Sequence, residues 1–239
     1  MEDNYKKYLK KSSKSYFLKS VVKTEQQKFL ETLLPDDIDH AKIADVACGA
    51  GTLSFHLNEK YKNHQIQYTL IDYFDDVLEL AKEINKSPNF SFENGNIYKL
   101  DKHKNDSFDY VFCWQTLSWV DEPEQALKEL LRILKPGGKL YLSALFNLNH
   151  DVDVFSKVYN HSEEGLGSIP GNYITISRYS IEKWIGQTVK KINFHPFIPE
   201  VDFEYDGKGL GTFTVNSETG RLQISAGMLL NWAILEIEK

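Results

Sequence analysis

The sequence predicts an α/β protein built on a doubly wound, mostly parallel sheet with helices on both faces, and three observations carry that expectation. An apolar run from Lys42 to Ala47 ends in a turn at Gly49 and Gly51 and opens into a helix at Thr52. A second apolar run, YTLIDY, ends in a carboxylate at Asp72, about twenty residues past the turn, the spacing that adenosine binders of this topology use. Beyond it, short apolar strands alternate with segments whose apolar residues recur at helical spacing, the βαβ pattern of an open parallel sheet. Ligands of such sheets sit at the carboxyl ends of the strands.

The first 41 residues are lysine-rich (Lys6, Lys7, Lys10, Lys11, Lys14) and carry Tyr5, Tyr8, Leu9, Tyr16, Phe17, Val21 and Val22, a pattern of one or two amphipathic helices capping the domain. The lysines read as a solvated face or as an attraction for an acidic substrate. Pro35, Asp36 and Asp37 mark a turn before the first strand. Thr52 to Tyr61 reads as a helix, Tyr68 to Asp72 as a strand, and Asp75 to Asn85 as a helix with Val77, Leu78, Ala81 and Ile84 on one face. Phe90 to Glu93 makes a short third strand, and Phe108 to Trp114 is a continuous apolar run suited to a strand buried on both faces.

Asp121 is the expected cap of the next helix, with Pro123 just inside it and Ala126, Leu127, Leu130, Leu131 and Leu134 as its buried stripe. Lys135 to Gly138 turns the chain into a strand over Lys139 to Phe146. Periodicity weakens from Asn147 to Ser177, which reads as a cover over the ligand edge. A helix over Ser180 to Val189 capped by Ser180, a strand over 191–198, a hairpin from Gly211 to Ser225 turning at Glu218 to Gly220, and a closing strand over Trp232 to Ile237 complete the chain.

Composition narrows the function. A length of 239 residues fits one domain with a sizeable core, and a net charge of −6 argues against a protein that coats nucleic acid. Cys48 and Cys113, the two cysteines, make neither a disulfide framework nor a cysteine-rich zinc site, and His56 and His64 lack cysteine partners, so no metal is expected. The opening residues lack a signal-peptide core, and no apolar run reaches the roughly eighteen residues of a membrane span. A soluble cytoplasmic protein is expected.

The glycine turn admits two ligand classes. A dinucleotide fingerprint needs a third glycine where this chain has Ser54, so the match fails. The other class is a cofactor without a pyrophosphate, bearing both a carboxylate and positive charge; N–H donors on one side of the turn and Asp45 on the other suit it. Asp72 can accept two hydrogen bonds from ribose hydroxyls.

Together, DVACGAG and Asp72 resemble the S-adenosylmethionine site of class I methyltransferases, a likeness extending from about Lys42 to Phe146, with LKPGGKL similar to the segment before the fifth strand. The resemblance implies a Rossmann-like, mostly parallel seven-stranded sheet and a single domain over 1–239. In it, 1–41 is the helical cap, 42–146 the cofactor core, 147–177 an acceptor-side cover and 178–239 the completion of the sheet. It implies S-adenosyl-L-methionine as cofactor and S-adenosyl-L-homocysteine as product. The implied cofactor set is Asp45, Ala47, Gly49, Gly51, Asp72, Tyr73, Asn96, Ile97 and Gln115. Asn96 stands where the family commonly has an aspartate for the adenine amino group, and its amide oxygen can still accept.

Trp119, Asn147, Tyr159, His161 and Tyr173 are the expected acceptor residues, and His150, beside Asp151, is the candidate general base. The Asn- or Asp-Pro-Pro-aromatic motif of amino-methylating nucleic-acid enzymes is absent after Trp114, as are the Pro-Cys nucleophile of cytosine C5 enzymes and the paired glutamates of arginine methyltransferases. With the acidic balance, these absences favour methyl transfer to an oxygen or nitrogen of a small-molecule acceptor, and the C-terminal hairpin and long cover segment resemble methyltransferases of sugar or surface-glycan pathways, which implies a sugar or sugar nucleotide. A homodimer is an allowed assembly. A catalytically silent, methyltransferase-like partner subunit is the rival reading, against which the intact Gly49, Gly51 and Asp72 argue.

Overall fold

The structure is a computed structural model that describes residues 2–19, 22–159, 171–197, 202–204, 212–218, 220–225, 228–229 and 231–239. Two helices, α1 (Glu2–Lys19) and α2 (Glu25–Leu33), precede β1 (Lys42–Val46), α3 (Thr52–Lys60), β2 (Gln67–Asp72), α4 (Asp75–Ile84), β3 (Phe90–Asn94) and β4 (Phe108–Trp114). Then come α5 (Pro123–Ile133), β5 (Leu134–Asn147), β6 (Val154–Val158), β7 (Gly171–Ser177), α6 (Arg178–Ile185) and β8 (Lys191–Phe197). The last strands are β9 (Thr212–Ser217), β10 (Gly220–Ser225), β11 (Met228–Leu229) and β12 (Asn231–Glu238).

The main path of the sheet runs β3-β2-β1-β4-β5-β12-β8, the expected seven strands. β1 to β5 pair in parallel, and β12 runs antiparallel to both β5 and β8. The order reverses beside β1: β2 lies on one side of it and β4 on the other. A crevice opens there at the strands' carboxyl ends.

Alternation along the central strands explains why helices cover both faces. On β4, Val111 and Cys113 join one buried cluster while Phe112 joins a second, and on β5 Leu140, Leu142 and Ala144 face the first while Tyr141 faces the second. A strand buried on both sides reads as an unbroken apolar run, as Tyr110 to Trp114 does. The first cluster is closed by Ala126, Leu127 and Leu130 of α5 and Ile181 and Ile185 of α6. The second is closed by Leu30 of α2, Leu53 and Leu57 of α3 and Ala81 of α4.

Several boundaries differ from the sequence reading, each for a physical reason. The Lys135 to Gly138 turn lies inside β5, as a bulge: Leu134 pairs with Phe108, and the next registered pair is Tyr110 with Lys139. Gly138 is obligatory there, because a Cβ would stand 2.8 Å from the Asp109 carbonyl. Helix α5 starts at Pro123 with Glu122 as its cap residue and no side-chain cap bond. Asp121 instead accepts a hydrogen bond from Asn172 Nδ2 at 2.8 Å. The 147–177 stretch forms an antiparallel pair, β6 with β7, and β7 joins the main sheet beside the end of β5 through Phe146 and Asn147.

The cap of α6 is Ser177, not Ser180: Ser177 Oγ accepts from Ser180 N at 3.2 Å. Ser180 is engaged elsewhere, donating its hydroxyl to Asp153 Oδ2 at 2.5 Å. β9 and β10 pair antiparallel as the C-terminal hairpin, with Gly220 opposite Ser217, in a separate three-stranded sheet with β11. No helix among the described residues is long and apolar enough to cross a membrane. Ser177→Ala removes the α6 cap and is expected to lower stability by about 1 kcal/mol in urea unfolding, with the helix content of the native baseline kept.

Candidate active site

A cavity of about 520 Å³ opens at the switch point of the sheet. That volume lies within the roughly 300–1,000 Å³ of small-molecule sites. The ends of four adjacent strands build it: Ala47 and Gly49 after β1, Asp72 and Tyr73 at β2, Asn96 and Ile97 after β3, and Gln115 after β4. These residues come together because parallel pairing holds β1, β2 and β4 in register, with Val46 opposite Ile71 and Asp45 opposite Phe112. Ala47 and Gln115 are non-glycine residues with positive φ, 58° and 55°. Left-handed backbone of this kind costs energy that the surrounding fold must sustain.

Asp72 is the organising side chain. Its Oδ2 accepts from Gly49 N at 2.9 Å and its Oδ1 from Phe74 N at 3.1 Å, so one carboxylate ties the β1 turn to the start of α4. Each oxygen keeps a further lone-pair direction for a ligand hydroxyl. Asp72 is buried, which raises its carboxyl above the ordinary value, while the backbone N–H bonds pull the other way. Gly49 (φ +56°) presents its bare face to the cavity: among the described residues a Cβ there would meet Ser13 Oγ, at 3.7 Å.

Asp45 and Gly51 lie behind the turn and are not on the cavity wall. Asp45 is 1% exposed, and its Oδ2 accepts from Ser54 Oγ at 2.6 Å, bracing α3 against β1. Burial pushes its carboxyl up to about 7. Gly51 has φ +71°, and a Cβ on it would come within 2.5 Å of Asn85 Nδ2 and 2.6 Å of Leu70 Cδ2. Its lack of a side chain therefore serves the packing of α3 on β2 and α4, and not the approach of a ligand.

The remaining expected residues divide. Asn96 is exposed, and its side-chain oxygen accepts from Tyr98 N at 3.0 Å, shaping the turn after β3. Gln115 Nε2 donates to Gln26 Oε1 of α2 at 2.8 Å. Trp119 is on the cavity wall and 54% exposed, with its ring edge-to-face against Tyr173 at 5.0 Å between centroids. Tyr173 is itself 5% exposed and packs behind Trp119. Asn147 is buried and consumed locally, accepting from His150 N at 3.1 Å and donating to the Val152 carbonyl at 3.0 Å.

His150 and Tyr159 are exposed and outside the cavity wall. His161 lies outside the described residues. Sequence reading missed Ser13, Tyr98 and Thr116 on the wall. Tyr98 and Thr116 adjoin predicted positions, whereas nothing in the sequence marks Ser13. Among the described residues no cluster of histidine, cysteine, aspartate or glutamate is placed to hold a metal ion.

The family described as a methyltransferase domain matches residues 38–192, which hold every strand end around this cavity. The chain belongs to that family. S-adenosylmethionine is the family's cofactor, and the cavity's volume, the β2 carboxylate and the bare glycine face fit it. The methyltransferase domain is 32% identical over 111 residues to a ubiquinone biosynthesis O-methyltransferase of Xanthomonas oryzae pv. oryzae, covering 46% of this chain and 45% of the relative. It is 35% identical over 104 residues to a demethylmenaquinone methyltransferase of Leptospira interrogans, 41% of each chain.

A tRNA N(3)-methylcytidine methyltransferase of Schizosaccharomyces pombe is 27% identical over 115 residues, covering 44% of this chain and 37% of that one. The chain thus spans less than half the length of these curated relatives. Among solved structures, a chain of the complex between the Haloferax volcanii Trm112 methyltransferase activator and a methyltransferase shares the fold, with TM-score 0.64 at 14% identity, covering 99% of this chain and 96% of that one.

Two substitutions separate the roles of the glycines. Gly51→Ala is expected to cost about 1–3 kcal/mol of stability beyond the left-handed strain that Gly49→Ala shares, because only Gly51 faces packed atoms. Equal losses in chemical denaturation would contradict that assignment. Asp45 yields a pH signature. Between the ordinary carboxylate value near 4 and about 7, the folded protein retains a proton that the unfolded chain has released. The group's stabilising contribution is full below that window, falls as pH rises through it and levels off above about 7. Asp45→Asn is expected to flatten the stability profile across the window, measured as urea midpoints against pH.

Proposed function

We propose that the chain transfers the methyl group of S-adenosylmethionine to an oxygen or nitrogen of a small-molecule acceptor. The observation that carries this reading is the joint presence of Asp72, the bare face of Gly49 and the exposed ring of Trp119 on one cavity. When bound, the cofactor supplies a methyl group already activated by its sulfonium. What remains for the chain is to bind, orient and exclude water, and positioning of this kind contributes up to about 7–11 kcal/mol of barrier lowering.

In this reading Asp72 accepts from the ribose hydroxyls, with Tyr73 beside it. Asn96 and Ile97 border the adenine, and Ala47, Gly49 and Gln115 line the amino-acid end. Asp45 holds the glycine turn in shape through Ser54 and Gly51 lets it pack. Trp119, backed by Tyr173, forms the acceptor wall.

Aromatic faces of this kind stack flat or ring-bearing molecules. The relatives named for ubiquinone and demethylmenaquinone support a ring-bearing acceptor, and a sugar or sugar nucleotide stacks on the same faces. The acidic balance supports a small molecule over a nucleic acid, with the tRNA-methylating relative as the reason to include RNA in an acceptor screen. His150 acts as a base in this scheme only for an acceptor long enough to reach past the cavity. Two free thiols, Cys48 and Cys113, suit a reducing cytoplasm.

A second reading, a methyltransferase-like subunit that works with a partner, draws support from the Haloferax neighbour, which was solved with an activator protein. Calorimetric titration with S-adenosylmethionine and with S-adenosylhomocysteine tests the first reading. Micromolar binding of both, about −8 kcal/mol, is expected. Asp72→Ala is expected to weaken that binding by about 1–3 kcal/mol through the loss of charge-assisted hydrogen bonds. Absence of binding to folded protein would favour the partner-subunit reading.

A further inference from the structure

The family match begins at residue 38, so α1 and α2 lie outside it, yet α1 reaches the cavity and α2 bonds one of its wall residues. Gln26 of α2 accepts from Gln115 Nε2, and α1 brings Ser13 onto the cavity wall. The Ser13 hydroxyl is 3.7 Å from the point where a Gly49 side chain would begin, on the open side of the glycine turn. α1 is seated by an edge-to-face contact of Phe17 on Phe55 of α3, with centroids 5.7 Å apart, and by packing on α4. Helices α3 and α4 begin at the two ends of the Asp72 clamp, so α1 bridges the elements that frame the cavity.

We propose that α1 is a working wall of the cofactor site and that the Ser13 hydroxyl binds the cofactor directly, over Gly49 at its amino-acid end. This rests on the cofactor reading above. A hydroxyl both donates and accepts, so it can serve the carboxylate or the ammonium of that end. Gly49 leaves the surface beside Ser13 open: a Cβ there would already stand 3.7 Å from the Ser13 Oγ, so a longer side chain would crowd the hydroxyl. A cofactor bonded to Ser13 ties α1 to the rest of the cavity wall.

The test titrates the full chain with S-adenosylhomocysteine, comparing wild type, Ser13→Ala, Ser13→Trp and the exposed control Lys14→Ala. Expected are a dissociation constant raised about two- to tenfold by Ser13→Ala and loss of at least tenfold in affinity in Ser13→Trp, with Lys14→Ala at the wild-type value. Hydrogen exchange of the α1 amides in wild type, with and without S-adenosylhomocysteine, is the second readout, and slower exchange with ligand is expected. Wild-type affinity in a folded Ser13→Trp overturns the α1 wall and leaves the cofactor reading standing. If that variant does not fold, unchanged α1 exchange on ligand binding to wild type overturns it instead. Failure of wild type itself to bind overturns both.

Discussion

The structure depends on one carboxylate holding two chain turns. Asp72 ends β2, and its oxygens accept from Gly49 N and Phe74 N, at 2.9 and 3.1 Å. The first of these bonds fixes the shape of the turn after β1, and the second fixes the start of α4, whose cap residue Phe74 has no capping side chain. A backbone N–H left unpaired at such a buried edge costs more than a made hydrogen bond gains, so the clamp constrains the loops around it. The Cys48 N–H, bonded to the Ile71 carbonyl at 3.1 Å, adds a second tie between the ends of β1 and β2. The side chain proposed to hold a ribose thus also builds the surface on which that ribose would lie.

Parallel topology explains why the site sits there. β1 to β5 run in parallel, so their carboxyl ends share an edge, and the reversal of strand order on either side of β1 leaves the crevice unfilled. Burial then sorts the acids. Asp45, 1% exposed behind the turn, is pushed toward its neutral form and spends one oxygen on Ser54. Asp72 is also buried and also raised, but its oxygens accept from backbone donors at the cavity edge, which pull its carboxyl the other way. Two carboxylates near one glycine turn therefore do different work, one inside the fold and one on the cavity.

The acceptor side is built from elements far apart in the chain. β7 joins the sheet beside β5, Ile174 N donates to the Ser118 carbonyl at 2.8 Å, and Asn172 holds Asp121, so the loop after β4 is pinned from the 171–177 stretch. Trp119 projects from that loop with Tyr173 beneath it. The N-terminal helices close the opposite side, with Ser13 and Gln26 placed by packing on α3, α4 and β4.

By itself the sequence determined β1 to β5 with the helices between them, the closing strand, and the position of the glycine turn and its acid. Those features rest on local period and turn chemistry, in which every signal lies within a few residues of its effect. Tertiary structure alone decided which glycine faces the cavity, because Gly49 and Gly51 look alike in sequence and differ in what Asn85 and Leu70 place beside Gly51. It decided that Ser177 caps α6, since Asp153, far back in the chain, takes the Ser180 hydroxyl. It also brought Ser13 to the cavity. These outcomes depend on long-range contacts, and no local period records them.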